Sequence, residues 1–138
     1  MECLPERYFI LDLSADLRQR QEQHIAAAAP HLLARVAWLD RLPEEFSGVV
    51  VANELLDAMP AYILAWREDG IYERGVSCDA GGGFTWNERP ATGALLQAAE
   101  EIGAQCNLPP GFESEISLAV RAWSAEWGHR LKKGALLL

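Results

Sequence analysis

Apolar residues along this chain come in short blocks, and the blocks change period twice. Val49, Val50, Val51 and Ala52 run without interruption into Asn53 and Glu54. An unbroken Val-rich run of this length suits a strand buried on both faces, as in a parallel sheet. Tyr8 to Leu13 is a similar run, ending at Asp12, and Leu32 to Leu39 is a third candidate strand. Between the Tyr8 and Leu32 runs the pattern turns helical. Ser14 or Asp16 can cap a helix, and Asp16 with Gln19 three residues on resembles a capping box. That helix would turn Leu17, Gln21, Ile25 and Ala28 inward and stop near Pro30. Leu42-Pro43-Glu44-Glu45 reads as a loop before the Gly48 strand. Strand, helix, strand, strand predicts a doubly wound α/β arrangement.

The character changes after Pro60. Ala61 to Trp66, Gly70 to Ser77 and Phe84 to Asn87 are short strand-like pieces. Glu68-Asp69-Gly70 and Gly81-Gly82-Gly83 separate them as turns, so an antiparallel insertion is expected. Residues 91–105 look helical, and Asn107 to Gly111 reads as a loop. Ser114 can cap a last helix, along which Ile116, Val120, Trp123, Trp127 and Leu131 form one apolar stripe. Lys132 and Lys133 favour its C-terminal end, and Gly134 fits the position just beyond it. Gly134 to Leu138 then reads as the start of another buried strand. With a core strand already begun by residue 8, the expectation is a partial domain. Residues 1–60 form its cofactor-side βαβ region, 61–112 an insertion and linker, and 113–138 a helix and the start of a core strand.

Composition narrows the function classes. The chain has 138 residues, half of them hydrophobic, and a formal net charge of −8. That is globular and no more than one domain. A nucleic-acid binder shows a basic face, whereas the basic residues here are scattered apart from Lys132–Lys133. Cys3, Cys78 and Cys106 are far apart and odd in number, which speaks against a disulfide framework or zinc site. No apolar run reaches the roughly 18 residues a membrane span needs. The N-terminus lacks the basic and apolar regions of a signal peptide, so a cytoplasmic location is expected.

Three places carry candidate chemistry. Asp12 follows an early strand, where an acidic residue commonly accepts hydrogen bonds from a ribose diol; the alternative is a carboxylate at a helix N-terminus. Asp40 follows Val36-Ala-Trp-Leu39, where an acid can accept from an adenine amino group with Trp38 or Leu39 beside the ring; the alternative is an ordinary loop aspartate. Asn53, Glu54 and Asp57 fall past the carboxyl end of the Gly48 strand, where open α/β sheets bind ligands. If Glu54 begins a helical turn, Glu54 and Asp57 share one face and can hold a guanidinium. The alternative is helix capping by Asn53 with acids in the first turn. His24, His31 and His129 fit no metal-ligand spacing. Gly81–Gly83 lacks the Lys-Ser/Thr of a phosphate loop and is expected to be a hairpin turn.

The blocks Tyr8 to Gln21, Val36 to Asp40, Gly48 to Pro60, Tyr72 to Val76 and Pro110 to Ile116 together resemble the MidA family, with Asn-Glu-Leu-Leu-Asp-Ala-Met-Pro the most specific part. These are class I S-adenosylmethionine-dependent methyltransferases of Rossmann-like fold. The mitochondrial members dimethylate an arginine of a respiratory complex I subunit. The resemblance implies S-adenosylmethionine as cofactor, with Asp12 on the ribose, Asp40 near adenine and Asn53 near the methyl donor. Glu54 and Asp57 are the candidates for gripping the target arginine. The family usually has glutamate where Asp12 stands.

Two departures accompany the resemblance. The family's glycine-rich loop on the first core strand is expected before Tyr8 and is absent from this sequence, as is the Asp-Tyr-Gly segment expected after the Gly134 strand. The expected fold is therefore an incomplete class I methyltransferase with an antiparallel insertion. The partner implied is a protein substrate, with no nucleic acid and no membrane insertion. A sheet edge left by missing strands would favour pairing with another copy, so a homodimer is open. A non-catalytic assembly module on the same fold is the alternative function.

Overall fold

The computed structural model describes residues 4–138; Cys3 lies outside them. The chain divides into two compact units, the first ending at Glu44 and the second running from Glu45 to Leu138.

In the first unit, strand β1 (Tyr8–Leu11) pairs in parallel with β2 (Val36–Leu39), with Leu11 opposite Leu39. Helix α1 (Ala15–Ala28) makes the crossover. Its N-cap is Ser14, whose hydroxyl accepts from the Leu17 amide at 3.3 Å. Asp16 lies in the first turn instead of capping, and pairs with Arg20 at 3.0 Å. Gln21 and Ile25 are half-buried as expected, whereas Leu17 and Ala28 are exposed. The third predicted strand is shorter than its apolar run. Pro30–Arg35 forms a 3-10 helix, and the strand begins only at Val36. Pro30 sits at the start of that helix, where its fixed φ favours a helical turn.

The second unit contains two sheets. In one, β3 (Phe46–Val51) pairs in parallel with β8 (Leu131–Leu137). Among the described residues β3 has no other strand partner, and its burial alternates instead of being two-sided. Val49 and Val51 are 61% and 71% exposed. The apolar run identified the strand correctly, but its second face is open here.

The other sheet is antiparallel, in the order β6 (Phe84–Pro90), β5 (Gly70–Cys78), β4 (Tyr62–Arg67), β7 (Glu113–Ile116). The expected antiparallel strands are present, and β7 extends their sheet. Ser114 therefore lies in a strand and caps no helix. Leu64, Trp66 and Ile116 on one sheet face pack with Leu95, Ala98 and Ala99 of helix α2 (Gly93–Cys106). This is the buried core. The opposite face carries a charged network in which Arg67 and Arg74 each contact both Glu88 and Glu113. These four side chains come from all four strands. Asp79 closes the β5–β6 turn by accepting from the Gly81 and Gly83 amides at 2.8 and 2.9 Å. Those amides already have an anion, so the triple glycine is a hairpin turn, as its context predicts.

Helix α3 (Leu118–Arg130) is capped by Ser117, whose Oγ accepts from the Val120 amide at 3.1 Å. Trp127 is buried on its stripe and meets the edges of Phe46 and Trp123. The helix passes directly into β8, so Lys132, Lys133 and Gly134 are strand residues and Gly134 is no helix terminator. Lys132 still serves the helix end, since its Nζ donates to the His129 carbonyl at 3.1 Å. No helix among the described residues is long and apolar enough to cross a membrane.

Candidate functional site

The first unit assembles one candidate locus at the carboxyl ends of β1 and β2. Because Leu11 and Leu39 are in register, Asp12 and Asp40 follow neighbouring strands at the same sheet edge. Asp12 is half-buried. Its Oδ1 accepts from the Ser14 amide at 2.9 Å, and its Oδ2 accepts from Gln21 Nε2 at 2.9 Å. Gln21 Oε1 in turn accepts from Trp38 Nε1 at 3.0 Å. A carboxylate offers about four lone-pair positions, so two remain after these bonds. A ribose diol presents two donors, and the residues present fit that group.

Asp40 is held differently. Arg18 of α1 donates from Nη1 to Asp40 Oδ1 at 2.7 Å and from Nη2 to the Leu39 carbonyl at 2.8 Å. The Asp40 side chain is 87% exposed, so this pair contributes orientation more than stability. A cavity of about 400 Å³ lies beside it, lined by residues 38–44 including Trp38, Leu39 and Asp40. That volume falls within the roughly 300–1,000 Å³ typical of small-molecule sites. The cavity offers an indole, aliphatic walls and one carboxylate acceptor, which suits a flat heteroaromatic ring bearing an amino group. The sequence pointed to Asp12, Trp38, Leu39 and Asp40. It did not point to Gln21 as a polar partner or to Arg18. Gln21 stood on the inward face of a predicted helix, and a polar residue there is the signal that could have found it.

The second locus belongs to the second unit. Asn53, Glu54 and Asp57 all lie in the turn after β3, and all three are exposed. The expected helical turn does not form. Residues 53–58 make consecutive tight turns, closed by Ala58 N to Leu55 O at 3.3 Å and Met59 N to Leu56 O at 3.0 Å. Asn53 therefore caps no helix, and Glu54 and Asp57 are not paired by helical spacing. Glu54 instead adopts a left-handed backbone, φ 52°. That conformation costs a non-glycine residue about 1 kcal/mol or more and is incompatible with a right-handed helical turn beginning at Glu54. Asp57 lines a second cavity of about 400 Å³ together with Leu56, Met59, Ala61, Glu115 and Ser117. Glu115, from β7, is a carboxylate that sequence reasoning did not connect with Asp57. The two are 58 positions apart, and only the pairing of β7 with β4 brings Glu115 to this cavity. Among the described residues no three His, Cys, Asp or Glu side chains cluster as a metal site requires.

A parallel βαβ unit with acids following its strands, a four-stranded antiparallel sheet, and a strand followed by Asn53 and Glu54 in a turn make this a mixed α/β protein. The chain belongs to the family described as "Putative S-adenosyl-L-methionine-dependent methyltransferase", whose profile matches residues 2–138. Two solved structures from Burkholderia thailandensis are similar to it. One is a COG1565 superfamily member bound to S-adenosyl-homocysteine, 43% identical, with a TM-score of 0.72 over 95% of this chain and 33% of that one. The other is a native structure of an uncharacterized COG1565 superfamily protein, 42% identical, with a TM-score of 0.72 over 95% of this chain and 34% of that one. The chain thus spans about a third of the length of these structures. No curated protein matches it.

Proposed function

We propose that this chain supplies the ribose and adenine side of an S-adenosylmethionine site, and part of the substrate rim, in a methyltransferase that modifies arginine in a protein. The observation that carries the reading is Asp12. It is a half-buried carboxylate at the carboxyl end of β1, held by two bonds and keeping acceptor capacity for a diol. It stands in a family described by its use of S-adenosylmethionine. Asp40 takes the adenine amino group, with Trp38 and Leu39 along the ring. The family resemblance implies a role for Asn53 near the methyl donor. S-adenosylmethionine, when bound, supplies an electrophilic methyl group on a sulfonium.

The chain's own contribution is then positioning and electrostatics. Glu54 and Asp57 hold the target guanidinium, and Glu115 joins Asp57 at the same cavity. Planar bidentate pairing with a carboxylate is the geometry by which guanidinium is best recognised. A net charge of −8 favours approach of a basic protein segment. The resemblance to the MidA family extends the proposal to a respiratory complex I subunit as substrate in mitochondrial relatives, and to a cytoplasmic setting in bacteria.

Calorimetric titration of S-adenosylhomocysteine into the full-length protein tests the cofactor half. Micromolar binding that Asp12→Ala weakens supports it, and no binding refutes it. Transfer of labelled methyl to an arginine peptide tests the substrate half. Glu54→Lys is expected to abolish transfer while leaving cofactor affinity largely intact, and undiminished transfer would remove Glu54 from the reading.

One observation favours the second reading, a non-catalytic assembly module. Val76, Phe84 and Trp86 lie together on the β5–β6 hairpin, at 60%, 84% and 57% exposure. Exposed apolar groups gathered in this way mark interaction surfaces. Cofactor binding with no methyl transfer to any protein would favour that role.

A further inference from the structure

We infer that Gln21 and Trp38 are positioning residues for the cofactor ribose, acting through Asp12 as one directional hydrogen-bond relay from β2 through α1 to the end of β1. The inference rests on the reading of Asp12 as the ribose ligand. Its grounds are geometric. An indole Nε1–H can only donate. Trp38 Nε1 donates to Gln21 Oε1 at 3.0 Å, which fixes which way the Gln21 amide points. With its oxygen committed to Trp38, Gln21 must present its NH2 to Asp12, and Nε2 lies 2.9 Å from Oδ2. The Ser14 amide holds the other carboxylate oxygen at 2.9 Å. Both oxygens are thus pinned from the protein side, and the carboxylate plane is set before any ligand arrives. A carboxylate free to rotate would lose conformational freedom on binding a diol, whereas this one has already lost it.

The three side chains come from three different elements, β1's carboxyl end, α1 and β2. Gln21 is half-buried on a helix that buries no residue fully. Its two side-chain bonds account for the orientation of its amide.

The test is calorimetric titration of S-adenosylhomocysteine into the full-length protein. The variants are Gln21→Leu, Trp38→Phe, Asp12→Ala and the Asp12→Ala/Gln21→Leu double substitution. Loss of a hydrogen bond to a charged acceptor is expected to weaken binding about tenfold in Gln21→Leu. Trp38→Phe keeps an aromatic ring but removes the donor, so it should shift affinity in the same direction, and only the part that vanishes in the Asp12→Ala background belongs to the relay. The deciding readout is the cycle with Asp12. If Gln21 works through Asp12, its penalty disappears once Asp12 is Ala, which leaves no acceptor to orient. A purely structural Gln21 would give the same penalty in both backgrounds, and that result overturns the relay. So does unchanged affinity in Gln21→Leu when the wild type binds. Absence of binding by the wild type defeats the cofactor reading itself, a separate outcome. Should Gln21→Leu fold poorly, Gln21→Ala in the same cycle decides.

Discussion

Gly134 faces Gly48 across the parallel β3–β8 pair so closely that a Cβ on Gly134 would fall on the Gly48 carbonyl oxygen. Both glycines hold positive φ, 144° and 150°, a region other residues enter only under strain. The two strands can therefore meet at this point only as glycines. Gly134→Ala is expected to destabilise the second unit by more than about 2 kcal/mol. Urea denaturation of wild type and variant measures it. An unchanged midpoint would mean that the strands part here at no cost.

Ser117 joins two loops at one atom. Its Oγ accepts from the Val120 amide and donates to the Pro60 carbonyl at 2.8 Å. Ser117→Ala removes a helix cap and orphans a carbonyl near the Asp57 cavity. A loss of about 1–2 kcal/mol is expected in chemical denaturation. Ser117→Thr keeps the oxygen and should recover most of it.

The charged network on the four-stranded sheet predicts a pH dependence. Hydrogen bonds from Arg67, with the positive charges of Arg67 and Arg74 adding to them, hold the Glu88 and Glu113 carboxyls below their ordinary range. The same bonds raise the Arg67 guanidinium above its own. A lowered folded-state pKa means that the unfolded chain takes up protons first. The stability these acids confer is therefore complete above about pH 4.3, the ordinary glutamate value. It declines as pH falls from there through the folded-state values. Thermal melts of Glu113→Gln should show a shallower decline below pH 4 than wild type. Parallel curves would remove Glu113 from the acid response.

Glu54 pairs a strained backbone with a proposed role at the substrate rim. Glycine adopts φ near 52° without penalty, so Glu54→Gly should leave stability unchanged or raise it by up to about 1 kcal/mol. Methyl transfer should fall by tenfold or more. A rise in stability with full activity would show that the strain serves no catalytic purpose.

Much of this architecture was legible in the chain. Val49–Val51 and Tyr8–Leu11 were legible as strands from their β-branched and aromatic runs, although both stay largely exposed here, and α1 begins after Ser14 because a hydroxyl there satisfies an otherwise unpaired amide. The antiparallel pieces after Pro60 were marked by their turns, with Asp69-Gly70 and Gly81–Gly83 in the places the structure uses. Asp12 and Asp40 were legible as well, since a residue's position at a strand end is a local property of sequence.

Other features depended on contacts between distant segments. β7 is a strand because Tyr62 to Ala65 offers it a partner edge, although Glu-Ser-Glu-Ile has little strand character of its own. Glu54's left-handed backbone displaced a helical turn whose residue spacing looked favourable. Gly134 reads as a helix terminator in isolation and becomes a mid-strand residue because Gly48 lies opposite. Gln21 and Trp38, 17 positions apart, become partners only when α1 crosses from β1 to β2. Sequence by itself determined most of the elements, their order and the acids at their ends, because hydrophobic period and capping act over a few residues. The tertiary structure alone decided which side chains hold those acids in place, because that depends on strand pairing and helix crossover.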